Sequence, residues 1–79
     1  RDLIPIVNQV SAQAANDVTL RLTKPMRKLE AEESQKEDLE KAIDTAATKV
    51  VNKLLFCLRD NLDVEAFRDC VEAVAKMYD

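Results

Sequence analysis

A chain of 79 residues, 47% apolar and 34% charged, suits one domain and is too rich in both classes for a disordered or membrane-embedded polypeptide. It holds no glycine and no histidine, which removes nearly every hairpin turn and phosphate-cradling loop along with the commonest general base and metal ligand. Twelve basic against fifteen acidic residues give a net charge of −3, which offers no general attraction to nucleic acid or an anionic membrane. The composition reads as an all-α module over residues 1–79 whose work is association rather than chemistry. A chain this short buries only ~60% of its unfolded surface, so a second copy or a larger parent chain would help its core.

The first periodic stretch predicts a helix over about 6–29. Val7, Val10, Ala14, Val18, Leu22, Met26 and Leu29 step by three or four residues and so share one helical face. Asp2 can cap its start, and Pro5 is harmless in a first turn. Pro25 removes one hydrogen bond and crowds the preceding turn, at ~3 kcal/mol unless the helix bends. Because the apolar stripe keeps its phase through Met26 and Leu29, a kink is expected there. A break with Thr23 as a new cap is the alternative.

The second stretch predicts a helix over about 35–59. Ser34-Gln35-Lys36-Glu37 has the S-x-x-E spacing of a capping box, and Glu37, Asp38 and Glu40 place negative charge at the positive end of the helix dipole. Leu39, Ile43, Ala46, Ala47, Val50, Val51, Leu54, Leu55 and Leu58 form a wide apolar stripe. Asp60 to Asp63 then reads as a short polar turn, with Asp63 capping a third helix over about 64–78. Val64, Phe67, Cys70, Val71, Val74, Met77 and Tyr78 are expected on its buried side. The short link predicts that helices two and three pack as an antiparallel hairpin.

Few residues suggest chemistry. Arg21, Lys24, Arg27 and Lys28 could contact phosphates, but they fan over more than one side and read as a solvated face. Carboxylate pairs such as Glu37–Glu40 and Glu40–Asp44 resemble a di-metal arrangement only on paper, since bundles of that kind pair glutamate with histidine. No metal site and no catalytic residue is expected. Cys57 and Cys70 lack C-x-x-C spacing and are placed about a turn apart across the hairpin, so both are expected to be buried thiols serving as small hydrophobes. Two cysteines are too few for a secreted disulfide scaffold, no apolar run approaches ~20 residues, and a cytoplasmic setting follows as the simplest expectation. A chain that opens on Arg1 rather than methionine reads as a fragment of a longer protein. Three helices with this much aliphatic surface would leave an exposed band in a monomer, and a two-fold dimer is the commonest way to cover one.

Within helix two, Val50-Val51-Asn52-Lys53-Leu54-Leu55, with Leu62 seven residues on, resembles the late signature of the C-terminal dimerisation domain of glutamyl-tRNA reductases. That family typically reads (I/V)-(I/V)-N-K-L-L-H-x-P-T-x-x-L. The upstream order is also similar, with Arg27-Lys28-Leu29 closing one amphipathic helix and an acidic start at Ser34 opening the next. Phe56, Leu58 and Arg59 depart from the histidine and the Pro-Thr of that pattern. The resemblance implies a parent enzyme that reduces glutamyl-tRNA to glutamate-1-semialdehyde with NADPH, at the entry to tetrapyrrole synthesis. The nicotinamide and tRNA sites would lie in other domains, so this segment would carry no cofactor and touch no nucleic acid. Its role would be to hold a homodimer together through Val50, Val51, Leu54, Leu55 and Leu58, continued by Leu39 and Ile43. The alternative is a stand-alone adaptor that docks a partner's helix in its groove.

Overall fold

A computed structural model describes residues 3–79, so the expected cap at Asp2 lies outside the described residues. The fold is all-α. Four helices follow one another, α1 (Ile4–Arg21), α2 (Thr23–Arg27), α3 (Glu33–Asn61) and α4 (Val64–Ala75), and a 3₁₀ turn (Lys76–Tyr78) follows α4. No helix among these residues is long and apolar enough to cross a membrane.

The expected single helix over 6–29 is divided. Pro25 has no N–H to offer the Arg21 carbonyl, and the ladder gives way just before that missing bond. Leu22 flattens to φ −93°, ψ −2°, and its N–H is shared between the carbonyls of Val18 at 3.2 Å and Thr19 at 3.1 Å. Thr23 is not a cap, because its hydroxyl donates back to the Thr19 carbonyl at 3.4 Å. Helix resumes for one turn in α2, which serves to bury Met26, and Leu29 is left exposed beyond it. The phase of the apolar stripe thus outlasts the helix itself.

The long helix α3 starts earlier than expected. Glu32, extended at φ −65°, ψ 151°, forms the capping box with Gln35, and its N–H donates to Gln35 Oε1 at 3.2 Å. A carboxylate and a carboxamide here do the work expected of Ser34 and Glu37, two residues upstream. Once that box forms, Ser34 lies inside the first turn. At its other end α3 runs two residues past Arg59, where the Asn61 side chain donates to the Cys57 carbonyl at 2.8 Å. Its 29 residues rise about 43 Å, nearly the full 48 Å length of the molecule.

Only Leu62 and Asp63 separate α3 from α4. Asp63 caps α4 as the sequence predicts, accepting from the Ala66 N–H at 2.8 Å. Asp63→Ala should destabilise the fold by about 1 kcal/mol, lowering Tm by about 4–8 °C in a domain of this size. Thermal melts followed by circular dichroism would read this, and an unchanged Tm would remove the cap from the account.

The main pairing is α1 against α3, which run antiparallel: Val7 meets Leu55 in the core, and Ser11 bonds Asn52. The chain also turns back between α3 and α4, so the expected antiparallel hairpin is present. Yet α4 rests on α1 at least as much as on α3. Phe67 and Val71 close the core with Val7, Val10 and Leu55, and the Tyr78 hydroxyl donates to Asp17 Oδ2 at 3.3 Å. Val64 and Met77, expected inside, are exposed. Val64 shares the face of Phe67 and Val71 but sits at the rim of an open depression beside Leu62, and Met77 lies in the 3₁₀ turn beyond α4. The core lies toward the end where α4 makes a third layer.

Candidate association surface

Leu54 and Leu55 are neighbours in sequence and 100° apart around α3, and the fold divides them. Leu55 is 5% exposed in the core, whereas Leu54 is 62% exposed. The residues expected at an interface divide along the same line. Val51 packs half-buried against the core and Ile43 is half-buried, while Leu39, Val50, Leu54 and Leu58 face outward. Leu39, Ile43, Ala46, Val50, Leu54 and Cys57, spaced by three or four, therefore form an apolar stripe on the side of α3 away from α1. Leu55 is committed to the interior and is not available to a partner.

Asn52, within the segment that carries the family resemblance, turns toward α1. Ser11, 1% exposed, donates its hydroxyl to Asn52 Oδ1. A buried hydroxyl without a partner costs more than the bond gains, so this pair fixes the register of α1 on α3. Ser11 and Ala15 are the buried α1 residues that hydropathy did not single out. Their signal was small size at positions where two helices approach closely.

Charge along α3 is unevenly divided. Residues 33–44 carry five carboxylates (Glu33, Glu37, Asp38, Glu40, Asp44) against Lys36 and Lys41, a net of −3. Residues 45–61 carry Lys49, Lys53 and Arg59 against Asp60, a net of +2, with Arg59 paired to Asp60. The carboxylates named as candidate pairs, Glu37, Glu40 and Asp44, all face solvent. Among the described residues no group of three His, Cys, Asp or Glu side chains is placed to hold a metal ion. The basic residues do not converge either: Arg21 pairs with Asp17 at 3.0 Å, and Lys24, Arg27 and Lys28 are exposed.

Both cysteines are free, Cys70 half-buried and Cys57 exposed. The expectation of two buried thiols therefore fails for Cys57, which lies on the outward face just as Leu54 does. Asn61 Nδ2 approaches its Sγ at 3.8 Å. Where α1 begins and α3 ends, a depression of 240 Å³ is lined by Leu3, Phe56, Leu62 and Val64. Arg59 lies over the Phe56 ring at 4.7 Å and reaches Asp60 at 3.3 Å, so its charge is already engaged. At the opposite end of α4, burial and the neighbouring Asp17 carboxylate, to which the hydroxyl donates, hold the Tyr78 phenol above its usual 10.0. None of these arrangements assembles a nucleophile with a base. The chain matches no family model, no curated protein and no solved structure.

Proposed function

We propose that this chain is an association module that joins two copies of itself through the outward face of α3, and that it contributes no catalytic residue. The supporting observation is the exposure of Val50 (60%) and Leu54 (62%) on one apolar stripe of the longest helix. Isolated exposed leucines are ordinary on protein surfaces, but a contiguous row along a helix marks an interface. Together with the resemblance of Val50 to Leu55, this supports a further reading: the module is the dimerisation segment of a glutamyl-tRNA reductase. Under that reading the NADPH site, the tRNA contacts and the reactive cysteine belong to other domains of the parent, and this segment holds its subunits together.

Sedimentation of the chain at high micromolar concentration tests the association. Leu54→Asp should weaken dimerisation at least about 100-fold, or roughly 3 kcal/mol, because a two-fold interface buries the new charge twice. Lys41→Asp should change it little, as surface substitutions do. A strictly monomeric parent chain would remove the homodimer and leave the adaptor reading. Equal effects of the two substitutions would place the interface elsewhere. An open reading frame upstream of Arg1 encoding a nucleotide-binding domain would support the reductase reading, and an unrelated one would end it.

A further inference from the structure

The outward face of α3 carries its own complement. Leu39 and Leu54 lie equally far from the peptide bond between Ala46 and Ala47, and so do Ile43 and Val50. A stripe symmetric about its midpoint matches itself when one copy is turned end for end. The charges have the opposite symmetry: the half of α3 before Thr45 is net −3, and the half from Thr45 to Asn61 is net +2. Turning one copy end for end therefore sets each acidic half on a basic half. A parallel arrangement would set like-charged halves side by side, with axes ~8–10 Å apart. It would bring Lys53 beside Lys53 and Asp38 beside Asp38 at the edge of the contact, whereas Glu37, Glu40 and Asp44 lie on the side toward α1. That spacing is about one Debye length at physiological salt, so for Asp38 and Lys53, which border the contact, the difference is not screened away.

We propose that α3 pairs antiparallel with α3 of a second copy, the two-fold axis crossing at Ala46 and Ala47. This rests on the homo-association proposed above and adds its geometry. Leu39 packs on Leu54 of the second copy, and Ile43 packs on Val50. The two alanines at the crossing let the helices approach closely. Asp38 comes within reach of Lys53 of the second copy, twice by symmetry. Such an interface is isologous and closes at two copies, so it produces a dimer rather than a filament. A partner of other sequence would need to reproduce both the spacing and the inverted charge halves, which a second copy supplies without further requirement.

Two cysteine reporters and a salt series test the arrangement on the full chain. Ala46→Cys, combined with Cys57→Ser and Cys70→Ala, places a thiol beside the axis and should form a disulfide-linked dimer on mild oxidation. Cys57 is exposed at the end of the stripe and is spin-labelled in a Cys70→Ala chain, circular dichroism checking that the fold is kept and sedimentation that the labelled chain still dimerises. Antiparallel pairing separates the two labelled positions by 21 residues along the axis, roughly 31 Å. Parallel pairing would bring them within about 10 Å. The dissociation constant should rise severalfold between low and high salt, because opposite charges attract across the interface. Absence of any dimer in sedimentation would overturn the association itself and this geometry with it. A dimer whose labels lie within about 10 Å, or whose affinity grows with salt, would leave the association standing and overturn the antiparallel arrangement. A dimer that the Ala46→Cys chain does not cross-link would remove α3 from the interface.

Discussion

Leu55→Asp should unfold this protein, while Leu54→Asp, one residue away, should leave it fully helical. Leu55 contacts the core built from Val7, Val10, Phe67 and Val71. Truncating a buried leucine costs ~2–5 kcal/mol in lost packing and the cavity left behind. An unpaired carboxylate at the same place adds several kcal/mol more, or is forced to bind a proton. A domain of this length has a total stability of about 4–12 kcal/mol, so the sum removes most or all of it. Leu54 is solvent-facing, and a carboxylate there is hydrated in the monomer. Circular dichroism at 222 nm separates the two: helical signal lost at 25 °C for Leu55→Asp and kept for Leu54→Asp. A folded Leu55→Asp chain would mean that α1 and α3 are paired in a different register. The contrast also protects the dimer experiments, since Leu54→Asp would then report on association rather than on folding.

Phe67→Ala is expected to have the next largest effect. Phe67 is the largest fully buried side chain, at 2% exposure, and it anchors α4 against both long helices. Removing a buried phenyl ring costs ~3–5 kcal/mol, which in a domain of this size lowers Tm by roughly 15–30 °C. The loss should fall unevenly. The α4 helix holds on through Phe67, Val71 and the Tyr78–Asp17 bond, whereas α1 and α3 keep Ser11–Asn52 and their own apolar contacts. Amide exchange should therefore accelerate first in Val64–Ala75. A Tm within a few degrees of the parent, or uniform loss of protection, would show that α4 is not separately anchored.

Much of this architecture is readable in residue types. The lack of glycine, the three-and-four spacing of apolar residues and Asp63 before Val64 are local signals, and local geometry satisfies them. Two other local signals misled because two chemistries competed for one job. Glu32 with Gln35 caps α3 in place of Ser34 with Glu37, since a carboxylate accepts a backbone N–H as well as a hydroxyl does. At Pro25 the apolar phase argued for continuity, and the missing N–H prevailed.

The candidate surface divides in the same manner. That α3 has more apolar surface than one partner helix can cover is evident from Leu39 to Leu58 in sequence. Which of those side chains stay outside depends on the angle at which α1 and α4 approach, and a one-residue change of facing rotates the choice by 100°. Only packing consigned Leu55 to the core, left Leu54 and Cys57 on the surface, and turned Asn52 toward Ser11. Residue order alone settles that this chain is helical, where its charges change sign along α3, and that it lacks the histidine-based machinery of most catalysis. Tertiary contact decides which half of each apolar stripe is core and which is surface, because burial depends on what lies across from a helix and not on the helix itself.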